Sequence, residues 1–518
     1  ITLNCGILTT NNQSVSAAEF YSTATPFTTH RTLNMGASNF YITGSSTCWY
    51  VSSGNFNLNC GTSTIHCINA AADFRGGDLT YYNLNFTNNT SGAAVYLSGS
   101  NTFHDVLFAC KGYIIHSNSF HKTTFLGDGI IESDNSYDDL IFSAAHSYSL
   151  WSYAPNLSTT QTINGNLTAI GNCGGLIDIH SKAPGVPAII YHPAGNINTS
   201  FLVLKDIHAT GGANFTASNS VDLGNNIGWT ITPANSKDLY WIANGGNWND
   251  GNHWSLSNGG PPSGCIPTPL DNVFFDGNSF SVTGQTVLLN TTAAYCMNIT
   301  WTGATHNPTF GGSLATLLKI YGSLEFVPGM NTSFAGKVNF ESTTTGKTIH
   351  MAGHSFYEQV NFNGIGGGWK FLSAFSTTGE IWLNNGEITT NDQTVNAAAF
   401  YTFSLSGATR ILNMGASIFN LSDDQICWYA TIPTTGLVLN HGTSVINSTA
   451  NNSNVAFFGG GLTYYDLNFK GIGTSASATL LDNNHFHNVS FLSKAFINQS
   501  NTFQELTFHA DGTIKSNS

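Results

Sequence analysis

Short stretches of the chain alternate apolar and polar residues, and these stretches recur at a fixed spacing. Each has an Asn, an aromatic residue two positions later, and then a strand-forming residue that is followed two positions on by Phe. Apolar residues with a period of two predict short β-strands with one buried face. The asparagine and aromatic residues of neighbouring stretches lie 17 residues apart: Asn101 and Phe103, Asn118 and Phe120, Asn135 and Tyr137, and, further along, Asn484 and Phe486, Asn501 and Phe503.

This spacing predicts an all-β fold, a right-handed parallel β-helix (β-solenoid) of stacked turns of about 17–25 residues. Equivalent residues in such a stack repeat about every 4.8 Å. We therefore expect the asparagines to form a hydrogen-bonded ladder at one corner and the aromatic residues to stack inside. The competing fold is an array of antiparallel sandwiches. Its units would be about 100 residues long and joined by hairpins, and the close spacing argues against it.

A second set of strands is predicted on longer turns. Three segments share the pattern Leu-Asn-x-Gly, and we expect them to lie above one another: Leu3–Gly6, Leu33–Gly36 and Leu58–Gly61. Helical patterns are nearly absent, since no sustained window of helix-forming residues with a period of 3.6 stands out.

Much of the chain occurs twice. Leu33–Ser38 returns as Leu412–Ser417 at a shift of 379 residues, and Leu79–Phe86 returns as Leu462–Phe469 at a shift of 383. A long period of this kind indicates an array of large modules, each made of smaller stacked turns. The first residues match Ile381–Asn384, an interior position, so we expect the 518 residues to be a window of a longer polymer.

The matches divide the chain into parts of two modules. Residues 1–234 are predicted to be the C-terminal part of one module of about 380 residues, and residues 239–518 the N-terminal part of the next. Residues 235–238 are the predicted joint between them.

Composition narrows the class of protein. Only 8% of the residues are charged and 41% are hydrophobic, which excludes disorder of the low-hydrophobicity kind. A net charge of −13 with 15 Lys and Arg argues against a nucleic-acid partner. The chain has no apolar run of about 18 residues, so we expect no membrane span. Low charge with abundant Asn and Thr indicates a secreted, extracellular protein of the cell surface.

The nine cysteines are an odd number, so at least one has no partner within the chain. Cys265 and Cys296 are the best disulfide candidates, because a bond between them would close a loop of about 31 residues and contribute about 3 kcal/mol. Four other cysteines become Asn, His or Ser in the second copy and are predicted to be buried thiols: Cys5, Cys60, Cys67 and Cys110. No CxxC or His/Cys cluster that would suggest a metal site accompanies them.

The segments around the predicted joint carry a recognisable pattern. A Gly-Asn-Trp-Asn-Asp run begins at Gly246, and Pro267–Asp276 follows it; Asp206–Phe215 and Gly224–Trp229 precede the joint. These segments resemble the giant repetitive cell-surface proteins of Bacteroidota-type bacteria, some of which are gliding-motility adhesins. The resemblance implies a repetitive filament at the cell surface and no particular ligand.

Three tryptophans near the joint allow two interpretations. Trp241, Trp248 and Trp254 could form an aromatic platform for sugar rings, with Asn and Asp between them as hydrogen-bonding groups. Alternatively, they seal the point at which one solenoid segment begins, and Trp229 at the end of the preceding module favours this interpretation.

Nearby acids invite a comparison with calcium sites. Asp250, Asp271 and Asp276 could supply oxygens to Ca²⁺, but they lack the dense alternation of acids in a calcium loop. Turn capping is the preferred interpretation, and neither a metal nor a cofactor is predicted.

Histidines cluster near the 17-residue turns: His104, His116, His121, His485 and His487. Only His104 is kept in the second copy, as His487, whereas His116 and His121 become Gln499 and Gln504. We therefore expect them on solvated outer faces. Hydrolysis of glycosides needs two carboxylates about 5–9.5 Å apart, and the acids are sparse and change between copies. No catalytic residue is predicted.

These observations predict a structural or adhesive extracellular repeat protein, a segment of a long surface filament or stalk. Its expected partners are neighbouring modules of the same chain and surface glycans, other cells or substrata. The alternative is a carbohydrate-binding or polysaccharide-cleaving β-helix protein, such as a polysaccharide lyase or glycoside hydrolase.

Overall fold

The computed structural model describes residues 1–23, 29–44, 46–90, 92–152, 157–183, 185–402, 408–430, 436–451, 454–473 and 476–515. It divides into two compact units, Ile1–Asn235 and Ser236–Ser518, called unit 1 and unit 2 below. Short strands dominate both units, and a 3₁₀ turn at Gly251–His253 is the helical element found among the described residues. That these units belong to two consecutive modules of a longer chain stays a prediction.

Unit 1 is a stack of parallel strands in three ladders, named 1A, 1B and 1C in the order in which a turn passes through them. Ladder 1A contains Gly6–Thr9, Arg31–Asn34 and Phe56–Asn59. Ladder 1B contains Val15–Ala17, Asn39–Ile42, Thr64–Cys67, Thr80–Phe86, Thr102–Phe108, Ser119–Phe125, Asn135–Phe142, Thr160–Ala169, Ala188–Ser200, Ile207–Asp222 and Trp229–Pro233.

Ladder 1C runs beside 1B and meets it at the last residues of Ile207–Asp222. Its strands are Phe20–Ser22, Thr47–Val51, Asp73–Arg75, Ala94–Ser98, Lys111–Ile114, Gly129–Glu132, His146–Trp151, Ile177–Ser181 and Leu202–Lys205.

Unit 2 has the same plan, with ladders 2A, 2B and 2C. Ladder 2A contains Trp254–Ser255, which is antiparallel to its neighbour, then Asp238–Trp241, Asn272–Phe274, Ile299–Thr300, Leu324–Glu325, Lys347–His350, Gly368–Phe371, Gly386–Thr389, Arg410–Asn413 and Leu437–Asn440.

Ladder 2B has two parts. The first is Gly246–Asn247, Thr286–Leu289, Thr309–Gly312 and Asn331–Phe334; the second is Phe375–Ser376, Val395–Ala397, Ile418–Leu421, Val445–Ser448, Thr463–Phe469, His485–Phe491 and Thr502–Phe508. Ladder 2C contains Ala293–Cys296, Leu317–Ile320, Lys337–Phe340, Val360–Phe362, Ile381–Leu383, Phe400–Thr402, Ile426–Ala430, Asn454–Phe458, Ser477–Leu481, Lys494–Asn498 and Gly512–Lys515.

Both units change from three-strand to two-strand turns. Ladder 1A ends at Phe56–Asn59 and ladder 2A at Leu437–Asn440, and the later turns alternate only between the B and C ladders. The strands of successive turns pair in parallel, so the backbone groups of each turn are satisfied by the next. The predicted parallel β-solenoid fold is confirmed.

The predicted stacking of the Leu-Asn-x-Gly segments is correct for two of the three segments. Leu33 and Leu58 lie above one another, but their partner in the first turn is Leu8 instead of Leu3. Gly36 and Gly61 stack behind these strands, whereas Gly6 is paired with Arg31 inside ladder 1A. Gly61 has a left-handed backbone (φ 58°), and a Cβ there would overlap the carbonyl oxygen of Gly36. The close approach of neighbouring turns therefore requires glycine at this corner.

Each strand turns one set of side chains inward. In Thr102–Phe108 the buried residues are Phe103, Val106 and Phe108, with Phe108 completely inaccessible. The same pattern in the neighbouring strands builds one continuous hydrophobic core in each unit. Within the described part of the chain, no helix has the length and apolar character needed to cross a membrane.

The in-register stack makes a prediction about deletions. Removing residues 118–134, one complete turn, brings Asn135 and Tyr137 to the positions above Asn101 and Phe103. We expect the protein to keep its β-rich circular dichroism spectrum and its cooperative thermal unfolding.

The matched control removes residues 118–126, about half a turn. This deletion removes a strand of ladder 1B, so the residues that follow, which belong to ladder 1C, take its place in the stack. We expect the variant to be insoluble or to lose cooperative unfolding. Equal behaviour of the two deletions would contradict the stacked register.

Candidate functional surface

The predicted asparagines occupy one buried corner between ladders C and B. Asn118 Oδ1 accepts a hydrogen bond from the backbone N–H of Asn101 at 2.9 Å, and Asn135 Oδ1 accepts one from Asn118 at 2.8 Å. Unit 2 has the same bond from Asn484 N–H to Asn501 Oδ1, at 3.0 Å. The side chain of each asparagine thus holds the backbone of the preceding turn, an arrangement we call the asparagine latch.

The side-chain amide nitrogen of each latch asparagine donates to a backbone carbonyl oxygen two or three residues earlier in the same turn. Asn101 Nδ2 donates to Ser98 O, Asn135 Nδ2 to Glu132 O and Asn501 Nδ2 to Asn498 O, each at 3.0 Å. The residue two positions before each latch asparagine has a left-handed backbone: Gly99, His116, Ser133, Asp482 and Gln499. The expected hydrogen-bonded asparagine ladder is present. Each Oδ1 accepts from a backbone N–H group of the preceding turn, and in unit 2 Asn501 Oδ1 also accepts from Asn484 Nδ2 at 3.0 Å.

The aromatic residues after the latch stack inside the core. Ring centroids lie 5.8 Å apart for Phe103 and Phe120 and 5.1 Å apart for Phe120 and Tyr137, with interplanar angles of 12° and 11°. In unit 2, Phe486 and Phe503 stack at 5.9 Å. Each stacked pair adds attraction beyond the burial of its area.

A longer ladder of side-chain hydrogen bonds runs along ladder 2B. Amide nitrogens donate to amide oxygens of the preceding turn at 3.0–3.1 Å along Asn396, Asn420, Asn447 and Asn468, and Ser490 Oγ donates to Asn468 Oδ1 at 2.7 Å. The spacing of these residues varies from turn to turn, so no fixed period marks the ladder in the sequence.

One arginine in each unit is buried inside the three-strand turns. Arg31 and Arg410 are each 1% exposed. Arg31 Nη1 donates to Ser22 Oγ at 2.9 Å, and Arg410 Nη1 donates to Thr402 Oγ1 at 3.0 Å. Burial lowers the pKa of both guanidinium groups. These equivalent side chains act as internal ties between ladders, a role the sequence analysis missed.

Three of the four cysteines that were predicted to be buried thiols differ from that prediction. Cys67 forms a disulfide with Cys48, with Cα atoms 6.1 Å apart, so it is not a free thiol. Cys5 is an exposed thiol and Cys60 is partly exposed, whereas Cys110 is buried as expected. In unit 2 the equivalent residues are Cys427 and Ser448, both buried, and Cys427 Sγ donates to Ala456 O at 3.5 Å.

The predicted bond between Cys265 and Cys296 is absent. Cys296 is a free thiol at the end of a 2C strand, completely buried in the hydrophobic core, and burial raises its pKa. Cys265 lies in the loop that precedes Asn272–Phe274. Closeness in sequence was misleading here, because the strand directs the Cys296 side chain inward.

The three tryptophans do not form an accessible platform. Trp241, Trp248 and Trp254 are 0%, 1% and 0% exposed, and Trp254 packs edge-to-face against both of the others with centroids 5.0 Å apart. Trp254 Nε1 donates to Trp248 O at 2.7 Å. They belong to the core of unit 2 and close its first turn, so the platform interpretation is wrong.

The carboxylates near the tryptophans accept hydrogen bonds from backbone N–H groups and so stabilise turns. Asp271 is inaccessible and accepts hydrogen bonds from Lys237 N at 2.7 Å and Thr268 N at 2.9 Å. Asp250 caps the 3₁₀ turn, and Asp276 accepts from Asn278 N at 2.8 Å. Their oxygens serve the turn-capping role preferred from the sequence.

The structure brings two of the predicted histidines together on the outer face of ladder 1B. His104 and His121 stack with ring centroids 4.3 Å apart, and both approach Asp105. His116 is a corner residue, and His485 and His487 line an outer groove of about 500 Å³ in unit 2. The signal that could have paired His104 with His121 is their spacing of 17 residues.

No protein-family model matches the chain, and no curated protein or solved structure was found to be similar to it.

The latch predicts a measurable loss of stability. Asn118→Ala leaves the buried N–H of Asn101 without its acceptor and removes the amide bond to His116 O, so we expect a loss of about 1–3 kcal/mol in the free energy of unfolding of unit 1. Urea unfolding followed by hydrogen exchange of unit 1 peptides measures it. Asn57→Ala, at an exposed position of ladder 1A, is the control and should change stability by less than about 0.5 kcal/mol. Equal effects would contradict the latch.

The disulfide gives a second prediction. Cys67→Ser copies the Cys427–Ser448 arrangement of unit 2 and opens a loop with a sequence separation of 19, so unit 1 should lose about 3 kcal/mol. Conversely, Ser448→Cys should form a disulfide with Cys427, detectable by mass spectrometry without reductant. Failure of Ser448→Cys to oxidise in a folded protein would show that the two sites are not equivalent.

Proposed function

We propose that this chain is a structural segment of an extracellular surface filament or stalk. The observation that carries the proposal is what the two units share. Both keep the asparagine latch and the stacked aromatic rings, whereas two titratable residues of the outer face, Asp105 and His121, do not recur. Asp105 and His121 of unit 1 correspond to Asn488 and Gln504 of unit 2.

The shared groups extend beyond the latch and the stacked rings. Trp49 Nε1 donates to Tyr81 Oη at 3.2 Å, and Tyr81 Oη donates to Gly76 O at 2.7 Å. In unit 2, Trp428 and Tyr464 form the same chain at 3.1 Å. Such retained internal contacts suit a scaffold, because the stability of a solenoid is approximately the sum of its turns and their interfaces.

Three features support a place outside the cell. The Cys48–Cys67 disulfide is of a kind that persists in oxidising compartments. The chain is poor in charged residues, at 8%. Its resemblance to repetitive Bacteroidota-type surface proteins points the same way. On this proposal its partners are neighbouring modules of the same longer chain, and surface glycans, cells or substrata contacted by the filament.

The carbohydrate-binding or polysaccharide-cleaving alternative loses its main candidate surface, since the three tryptophans are buried. Several other aromatic side chains on the outer faces stack on one another along the ladders, as Trp382 does on Tyr401 at 4.7 Å. Such columns present ring edges, whereas sugar rings pack on ring faces.

Single-molecule force spectroscopy tests the mechanical role. Pulled from its two ends, the chain should resist extension and then lengthen in steps of about one turn, roughly 60 Å for 17 residues at about 3.6 Å per residue. A double substitution, Asn484→Ala with Asn501→Ala, should lower the force of unit 2 steps only.

Free extension without steps, as for a disordered linker, would contradict the proposal. So would turnover of a polysaccharide by the purified chain, which would favour the enzymatic alternative.

A further inference from the structure

The pair of histidines on ladder 1B has the geometry of a ligand set. His104 lies on Thr102–Phe108 and His121 on Ser119–Phe125, and these neighbouring strands pair in parallel and in register. The two imidazole rings are nearly parallel, with an interplanar angle of 21°. Their side chains point out of the solenoid and are 39% and 53% exposed.

Both rings direct the same nitrogen at one carboxylate oxygen. Asp105 Oδ1 lies 3.0 Å from His104 Nδ1 and 3.3 Å from His121 Nδ1. One ligating atom from each of the three residues falls within 4.8 Å of the others. His104 Nδ1 is itself shielded from solvent and, despite the short distance, has no hydrogen bond of acceptable geometry. Its lone pair or proton is thus left unused by the protein.

We propose that His104, Asp105 and His121 form a binding site for a divalent cation of the Zn²⁺, Cu²⁺ and Ni²⁺ class. Imidazole nitrogens suit these ions, and one carboxylate completes three protein ligands. Because Asp105 and His121 are exposed, water can supply the remaining ligands of a bound ion. Ca²⁺ and Mg²⁺ are excluded as preferred ions, since they take oxygen ligands.

The scaffold holds the ligands in place before any ion arrives. Tyr82, on the preceding strand of ladder 1B, stacks on His104 with centroids 4.4 Å apart. The column Tyr82, His104, His121 therefore fixes the orientation of the middle ring from both sides. Lys122 is the in-register neighbour of Asp105, and the ion pairs that the structure shows for Asp105 are with the two histidines.

Unit 2 contains the natural counterpart without the ligand set. Tyr465 stacks on His487 at 4.1 Å, as Tyr82 does on His104. The positions of Asp105 and His121, however, hold Asn488 and Gln504. His487 pairs instead with Asp466 of the preceding turn, at 2.9 Å. Unit 2 thus has the stacked tyrosine and histidine but neither the second imidazole nor its carboxylate, so it serves as an internal control.

Zn²⁺ titration of the untagged full chain tests the site by isothermal titration calorimetry. The wild type should bind one equivalent at this site, and His121→Gln and Asp105→Asn, which copy unit 2, should each weaken that binding by about tenfold or more. His487→Gln is the matched control and should change the affinity by less than about twofold.

Circular dichroism and the thermal midpoint must show that the variants remain folded, which we expect because all three side chains are partly exposed. The proposal is overturned if the folded wild type takes up no Zn²⁺, or if His121→Gln binds it as tightly as the wild type does. Loss of binding in His487→Gln equal to that in His121→Gln would also overturn it, because it would assign the ion to unit 2.

Discussion

Successive turns of each unit stack in parallel and in register, and this stacking determines the positions of the core, the corners and the outer side chains. A strand of one turn can satisfy its backbone N–H and C=O groups only through the turns above and below it. Register then fixes which side chains lie above one another, and a one-residue slip would turn every inward side chain outward. The corners between strands are the weak points, because the chain bends there and ladder pairing stops. The asparagine latch supplies hydrogen bonds at one of these corners, and the stacked aromatic rings fill the space behind it.

The same constraint explains why the two units diverge where they do. Inward positions must fit their neighbours in two adjacent turns, so Phe103 and Phe486 remain phenylalanine. Outward positions contact mainly solvent and their ladder neighbours, and they can exchange ligating groups for amides, as His121 and Gln504 show. Even the disulfide follows this logic. Cys48 and Cys67 occupy an internal site where a thiol–hydroxyl pair of similar size serves in unit 2.

The sequence was sufficient for the fold wherever residues of one type recur at one spacing. Asn101 and Asn118 mark the turn length directly, and the alternation around Phe103 marks the buried face.

The sequence was not sufficient where the proximity of two residues depends on turns of unequal length. Cys67 pairs with Cys48 across two ladders, which no fixed period indicates, and Cys296 was paired with Cys265 only because the two are near in sequence. One of the two interpretations of the tryptophans placed them on an exposed platform, which is wrong. Aromatic content alone cannot distinguish a buried core from an exposed platform for sugar rings. The two histidines of the pair are one turn apart in sequence, which predicts that they lie side by side. The loss of one of them in the second copy led us to expect separate, solvated side chains instead.

Residue-resolved hydrogen–deuterium exchange of the latch amides is the decisive experiment for turns that are stacked in register and joined at their corners. The backbone N–H groups of Asn101, Asn118 and Asn484 lie at bends, outside the regular ladders, and their acceptors are asparagine side chains of the following turn. We expect these amides to exchange roughly a thousandfold or more slowly than in an unstructured peptide, which corresponds to an opening free energy of about 4 kcal/mol. Exchange of these three amides at the rate of an unstructured chain, while the strands beside them stay protected, would contradict it.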